Sequence, residues 1–324
     1  NGSTLSSTAA YVTFKNNFTE KATYSLGARY SYSMLTANFA DTTFINLPFS
    51  EIRNNNGALT GNAGIVYHPN KKWNIQLAVS SAFRSPNVDD VGKVFAKNEY
   101  ALVPNDQLTP EKAYNGEIGI TKSFGNEDLV INAVGFYTLL QDAIVRDFYS
   151  IDGADSLIYD GELLQMQTNV NASEAIVYGL SFNLKAKLSK ELSLKSNFNY
   201  TQGRNVTENV PLGHIPPLYG RTDLILYSAP LTVAFYMKYQ LDKLYADYSP
   251  FGEDNENKSA LNKLGQIYGT PAWQTFNIRA QMQISKSISI QAALENMLDV
   301  HYRPFASGLS GAGRNFIFTL RANI

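Results

Sequence analysis

The sequence predicts an all-β chain that crosses a membrane as an antiparallel transmembrane β-barrel, and three observations predict it. Apolar and polar residues alternate with a period of two along most of the chain. The connections between the alternating segments are short and long in strict turn. Charged residues are 17% of the 324 residues, below the usual quarter of soluble domains, so the outer surface is expected to meet something less polar than water.

The alternation is clearest at 22–34. Ala22, Tyr24, Leu26, Ala28, Tyr30, Tyr32 and Met34 alternate with Thr23, Ser25, Gly27, Arg29, Ser31 and Ser33. Successive side chains of a strand point to opposite faces, so this segment is a strand with one apolar and one polar face. Ile176–Leu188, Phe276–Ile284, Trp73–Val79 and Phe316–Ile324 repeat the pattern. About thirteen strands follow, at 8–17, 22–36, 57–68, 73–84, 113–124, 128–145, 173–188, 191–203, 221–228, 231–243, 273–284, 288–297 and 314–324. A tilted strand needs about 9–11 residues to cross a bilayer, and most of these suffice.

Short turns fall near Phe18–Lys21, His68–Lys72, Gly125–Glu127, Leu188–Glu191, Ser228–Pro230 and Ser285–Ser287. Long loops fall at 37–56, 85–112, 146–172, 204–220, 244–272 and 298–313. Short turns on one rim and long loops on the other are the arrangement of outer-membrane barrels, whose long loops are extracellular. A soluble sandwich also alternates, but its Greek-key connections do not impose this short and long order.

Composition excludes several functions. The formal net charge of −1 gives no reason to expect nucleic acid as a partner, and the absence of Cys removes disulfides and thiolate metal sites. No apolar run is long enough for a spanning helix, and Val130–Leu140 is interrupted by Asn132 and Thr138. Membrane passage therefore requires a barrel. His68, His214 and His301 have no ligand spacing, and no nucleophile elbow occurs. No catalytic, cofactor or metal residues are expected. Asp152, Asp155, Asp160 and Glu162 share one loop without the spacing of a calcium loop and are expected to be solvated.

The first and last strands run in the same direction, since an odd number is present. Barrels of this kind are antiparallel with an even strand count. The chain is therefore expected to be a fragment that lacks an odd number of upstream strands.

Six motifs then acquire a common meaning. Phe83-Arg84-Ser85-Pro86-Asn87 resembles the FRAPN box of TonB-dependent receptors, and Pro104-Asn105-Asp106-Gln107-Leu108-Thr109-Pro110-Glu111-Lys112 resembles their PNxxLxPEK segment. Gly116-Glu117-Ile118-Gly119 is similar to the strand that follows it, and Asn171-Ala172 with Tyr178-Gly179 to a later strand opening. Glu295-Asn296-Met297-Leu298-Asp299 with Tyr302-Arg303 resembles NLFDxxYR, and Gly313-Arg314-Asn315-Phe316 resembles the start of the final strand. The motifs stand in family order over 83–324, while 1–82 fit by pattern only. Ser85, Met297, Leu298 and the terminal Ile324 depart from the family residues.

The resemblance implies the C-terminal portion of a 22-stranded barrel, with the plug domain, the TonB box and about nine early strands absent. It implies TonB-coupled uptake of a scarce nutrient across a Gram-negative outer membrane, with TonB, outer-membrane lipid and a ligand such as siderophore-iron, cobalamin or a glycan as partners. Loop aromatics and one histidine are the candidate ligand contacts: Tyr100, Phe148, Tyr149, Tyr159, His214, Tyr245, Tyr248, Phe251 and Tyr268. Arg29, Arg84, Lys185, Arg279 and Arg321 are expected to line the lumen. Haem receptors with these boxes are expected to carry a His between them; none lies between Phe83 and Leu108, which disfavours haem. A passive porin-like channel and a soluble β-rich binding protein are the alternatives.

Overall fold

A computed structural model describes residues 2–38, 50–97, 99–151, 153–250, 254, 261, 264–266 and 268–322. The chain opens with β1 (Gly2–Thr19), β2 (Ala22–Asn38), β3 (Glu51–Tyr67) and β4 (Trp73–Arg84). A short helix α1 (Val88–Gly92) and the short strands β5 (Phe95–Lys97) and β6 (Tyr100–Val103) follow. Next come β7 (Glu111–Phe124), β8 (Leu129–Phe148), the small β9 (Ser156–Tyr159), β10 (Glu162–Lys187) and β11 (Leu192–Asn205). Then β12 (Val210–Pro211), β13 (Tyr219–Ser228), β14 (Leu231–Gln240), β15 (Lys243–Leu244) and β16 (Gly269–Thr270). The last are β17 (Trp273–Gln283), β18 (Ile288–Glu295) and β19 (Asn315–Ala322).

The long strands pair in chain order as an antiparallel meander: β1, β2, β3, β4, β7, β8, β10, β11, β13, β14, β17, β18, β19. Each is joined to the next by a short turn or a long loop in alternation. Among the described residues β1 pairs only with β2, and β19 only with β18.

The register sorts the faces. On β2 and β3, Tyr24 lies opposite Ile65, Leu26 opposite Ala63 and Tyr30 opposite Leu59. These side chains point outward, Tyr24 and Ala63 half-buried and the others exposed, Leu26 at 48% and Leu59 at 75%. So do Leu77, Val79, Ile118, Tyr137, Leu224, Phe235 and Phe318. A soluble protein rarely exposes a contiguous apolar surface of this extent, whereas lipid requires it. The opposite face carries hydrogen-bonded polar pairs. Thr138 donates to Asn115 at 2.8 Å and Asn132 to Thr121 at 2.9 Å. Arg221 holds Asp223, and Tyr236 donates to Glu295 at 2.7 Å. A water-filled lumen tolerates such a face.

Strands outrun several expected limits. β1 begins at Gly2, β3 at Glu51 and β10 at Glu162, so the loops expected at 37–56 and 146–172 are shorter. Arg53-Asn54-Asn55-Asn56 has low strand propensity, yet it pairs with Ser33–Thr36 because backbone bonds continue the ladder. β14 stops at Gln240, before the expected 243, and Lys243 enters β15. The 85–112 region was expected as loop, but holds α1, β5 and β6.

The apolar clusters sit at the long-loop end. Leu35, Ile52, Val91 and Leu108 form one, with Ile144 against it; Val103 and Met166 form the other, with Ile151 and Leu157. Leu35 shares the polar face of β2 with Ser31 and Ser33, so the β4–β7 connection folds inward over the lumen side of the sheet.

Candidate functional site

The long loops form the mouth, and the sequence motifs root them there. Arg84, at the end of β4, bonds Asp90 at 2.6 Å and also Glu111 at the start of β7. Glu111 in turn accepts from the Ile144 amide at 2.6 Å. Asn87 caps α1, accepting from the Asp89 and Asp90 amides, and Pro86 is fully buried. Asn105 donates to the Asn169 carbonyl at 2.8 Å, and Asn171 exchanges hydrogen bonds with the backbone of Thr109. Asn54 of β3 donates to the Leu108 carbonyl at 2.9 Å. Pro110 leads directly into β7.

The second set of motifs closes the β18–β19 connection. Asn296 donates to the Val300 and Ala312 carbonyls at 2.8 and 3.0 Å, and accepts from the Val300 amide at 2.9 Å. Tyr302 lies 4.5 Å from Trp273, ring centre to ring centre. A Cβ at Gly311 would stand 2.2 Å from the Tyr302 ring, so any side chain there must displace that ring. Asp299 accepts from the Arg314 amide at 2.8 Å, Arg314 donates to the Met297 carbonyl at 3.0 Å, and Gly313 packs against Asp299. The 308–313 segment is tied down at these points.

The candidate contacts fall into two groups. Tyr100, Phe148, Tyr149 and Tyr159 surround the start of β10. Tyr100 lies opposite Gln165, its ring 6.1 Å from Phe148. The Tyr149 amide donates to Met166, and Tyr159 lies opposite Glu162. The other group gathers His214, Tyr245, Tyr248 and Tyr268 around a buried ion pair. Lys243 and Asp254 approach to 3.4 Å with 7% and 0% of their side chains exposed. Asp254 also accepts from the His214 amide at 2.8 Å and the Ser249 amide at 3.0 Å. Lys243 donates to the Ile215 carbonyl at 2.7 Å and lies 4.3 Å from the Phe305 ring. Three loops, 206–218, 241–272 and 296–314, thus share one centre. Phe251 lies outside the described residues.

Tyr248 belongs to that centre. It is only 5% exposed and its hydroxyl meets Thr270 at 2.6 Å. The more accessible rings are Tyr245, Phe148 and Tyr149. Burial pushes the Tyr248 hydroxyl up, and a hydrogen bond to Asp242 does the same for Tyr268. Burial pushes the Lys243 ammonium down, while Asp254 pulls it back. Beside this centre a cleft of about 340 Å³ opens between Tyr178, Tyr200 and Arg204 of the strand rims and Ile215, Pro217 and Lys243 of the loops. Lys243, Asp254 and Phe305 were not singled out from the sequence. They are distant along the chain and share no motif. Among the described residues no group of three His, Asp or Glu could hold a metal.

An outward apolar face, a polar inner face and loop-built mouth define an outer-membrane β-barrel. The TonB-dependent receptor-like β-barrel family model matches residues 1–297, and the chain belongs to that family. It is therefore an outer-membrane protein of the Gram-negative type. Residues 1–82, which matched the family by pattern only, fall within the match.

Among characterised relatives, hemoglobin-binding protein A of Haemophilus influenzae is 25% identical over 75% of this chain. Hemoglobin-haptoglobin utilization protein B of Neisseria meningitidis is 24% identical over 78%. The alignments cover 24% and 33% of those proteins. The copper transporter OprC superposes on 99% of the chain with a TM-score of 0.80 at 14% identity, covering 48% of its own length. The siderophore receptor PiuA of Acinetobacter baumannii gives 0.68 at 18% identity over 99% of the chain and 43% of its own. These structures support the fold alone. The chain spans a quarter to a third of the relatives' length and just under half of these solved structures.

Proposed function

We propose that this chain is the C-terminal part of the barrel of a receptor that takes up an iron-bearing ligand by TonB-coupled active transport. The observation that carries the reading is the family match over 1–297, joined to a polar inner wall and a mouth of ordered loops. The edges at β1 and β19 support a larger barrel. Each leaves a row of backbone groups unpaired, which hydrocarbon does not tolerate. The plug and TonB box belong to the part outside this chain. The exposed aromatics Phe148, Tyr149 and Tyr245, with the half-buried Tyr100, are the ligand contacts in this reading, with Tyr248 and Tyr268 supporting them. The family is one of transporters and receptors, and catalysis has no part in the proposal.

Two ligand classes compete. The relatives named for hemoglobin favour haem, while the absence of a His between Phe83 and Leu108 favours a ferric siderophore. The test is growth of the source bacterium under iron limitation, with and without the gene. Each iron source is supplied singly, and a protonophore is added in parallel uptake assays. Loss of growth on one source, with protonophore-sensitive uptake, supports the reading and names the ligand. Uptake that persists without the proton gradient would instead support a passive channel.

A further inference from the structure

Lys122 is a cation on the lipid face. It alternates with Ile118, Ile120 and Phe124, all outward and exposed. It lies opposite Trp73 of β4 and Ile131 of β8. Its ammonium stands 4.1 Å from the centre of the Trp73 ring and 5.4 Å from that of Phe124. No ion pair engages it among the described residues. The acidic groups of the adjoining turn are Glu127 and Asp128, and Asp128 accepts from the turn's own Asn126 amide at 3.4 Å. Lys72 is fixed alongside, because its carbonyl accepts from the Ser123 amide at 2.8 Å. A lysine whose ammonium lies over aromatic rings at the bilayer edge holds its charge at headgroup level.

The same strands carry a groove toward the bilayer centre. Two successive cross-strand rows line it: Tyr24, Ile65, Leu77, Ile118, Gly135 and Leu26, Ala63, Val79, Gly116, Tyr137. The groove holds about 920 Å³. Gly116 and Gly135 form its floor, and a Cβ at Gly116 would meet nothing within 4 Å. Leu77 and Ile118 stand four residues beyond Trp73 and Lys122, about 13 Å along the strand. Charge and apolar groove thus lie in line at the depths of a headgroup and its chain. Trp73 and Lys122 adjoin short turns, which face the periplasm.

We propose that the outer face of β3, β4, β7 and β8 binds an anionic phospholipid of the periplasmic leaflet, its phosphate on Lys122 beside Trp73 and one acyl chain over Gly116. The proposal is independent of the transported ligand. The receptor with its natural ends is reconstituted into nanodiscs holding a small fraction of brominated phosphatidylglycerol or brominated phosphatidylcholine. Quenching of Trp73 is obtained by subtracting a Trp73→Phe sample. Brominated phosphatidylglycerol is expected to be enriched about fivefold over phosphatidylcholine at Trp73, the contribution of one lysine near an anionic headgroup. Lys122→Gln removes the preference and Lys122→Arg keeps it. Gly116→Leu fills the groove and weakens quenching by both lipids. Equal quenching by the two lipids in the unaltered protein overturns the proposal, as does a preference that survives Lys122→Gln. Unchanged quenching in Gly116→Leu overturns the acyl-chain assignment.

Discussion

Lys243 and Asp254 meet at 3.4 Å inside the extracellular loops, and their side chains are almost wholly enclosed. The pair is completed by the His214 and Ser249 amides and the Ile215 carbonyl, so neither charge faces an apolar wall alone. Removing one partner leaves the other buried and uncompensated, at a cost of about 3–5 kcal/mol. Asp254→Ala is therefore expected to open the loop centre without unfolding the barrel. Hydrogen exchange of the 243–250 amides should rise by two or more orders of magnitude, while β7 and β8 stay protected. Uniform exchange would show that the pair does not hold the loops.

Alkaline titration separates two groups of that centre. Tyr248 is raised by burial, so the folded protein keeps a proton that the unfolded chain gives up near pH 10. Its contribution is complete below that pH and falls as pH rises through it. Lys243 is lowered by burial, and its contribution has the opposite sign: stability rises with pH toward the ordinary lysine value of about 10.5. Tyr248→Phe should weaken the falling limb, leaving the rise from Lys243 and the fall from Tyr268. Loop proteolysis rates between about pH 9 and 11, compared between the two proteins, read the difference.

Arg84 joins the end of β4 to α1 through Asp90 and to β7 through Glu111. The Arg84 side chain is 44% exposed, so its pairs are screened, and Arg84→Gln should cost about 1 kcal/mol. Exchange at 88–103 should quicken about fivefold with the barrel's melting temperature unchanged. A lowered melting temperature would place Arg84 in the barrel's global stability instead.

Gly311→Ala puts a methyl 2.2 Å from the Tyr302 ring. The ring must leave Trp273, and overpacking of this kind costs about 1–3 kcal/mol. Trp273 emission should shift to the red in the variant. An unshifted spectrum would mean that the loop, rather than the ring, gives way.

The strands were legible because lipid and lumen impose a period of two on nearly every crossing. The extensions were not. Asn54-Asn55-Asn56 carries no strand signal, and its pairing with β2 comes from a ladder already begun. The motif boxes were legible as a family, but their work at the rim was not. Arg84 and Asn105 act through partners 27 and 64 residues away. The Lys243–Asp254 centre was silent, since its members lie in different loops and repeat nothing. Tyr248 was read as a loop aromatic, and only tertiary packing shows it enclosed.

The inward β4–β7 connection reaches Asn54 on β3 at one end and Asn169 on β10 at the other. It works as a tie-beam across an arch. Five neighbouring long strands, from β3 to β10, cannot splay apart at the rim without tearing its hydrogen bonds. The aperture on that side is thus of fixed span. Under the transport function proposed above, the opening left for a ligand is the remaining arc.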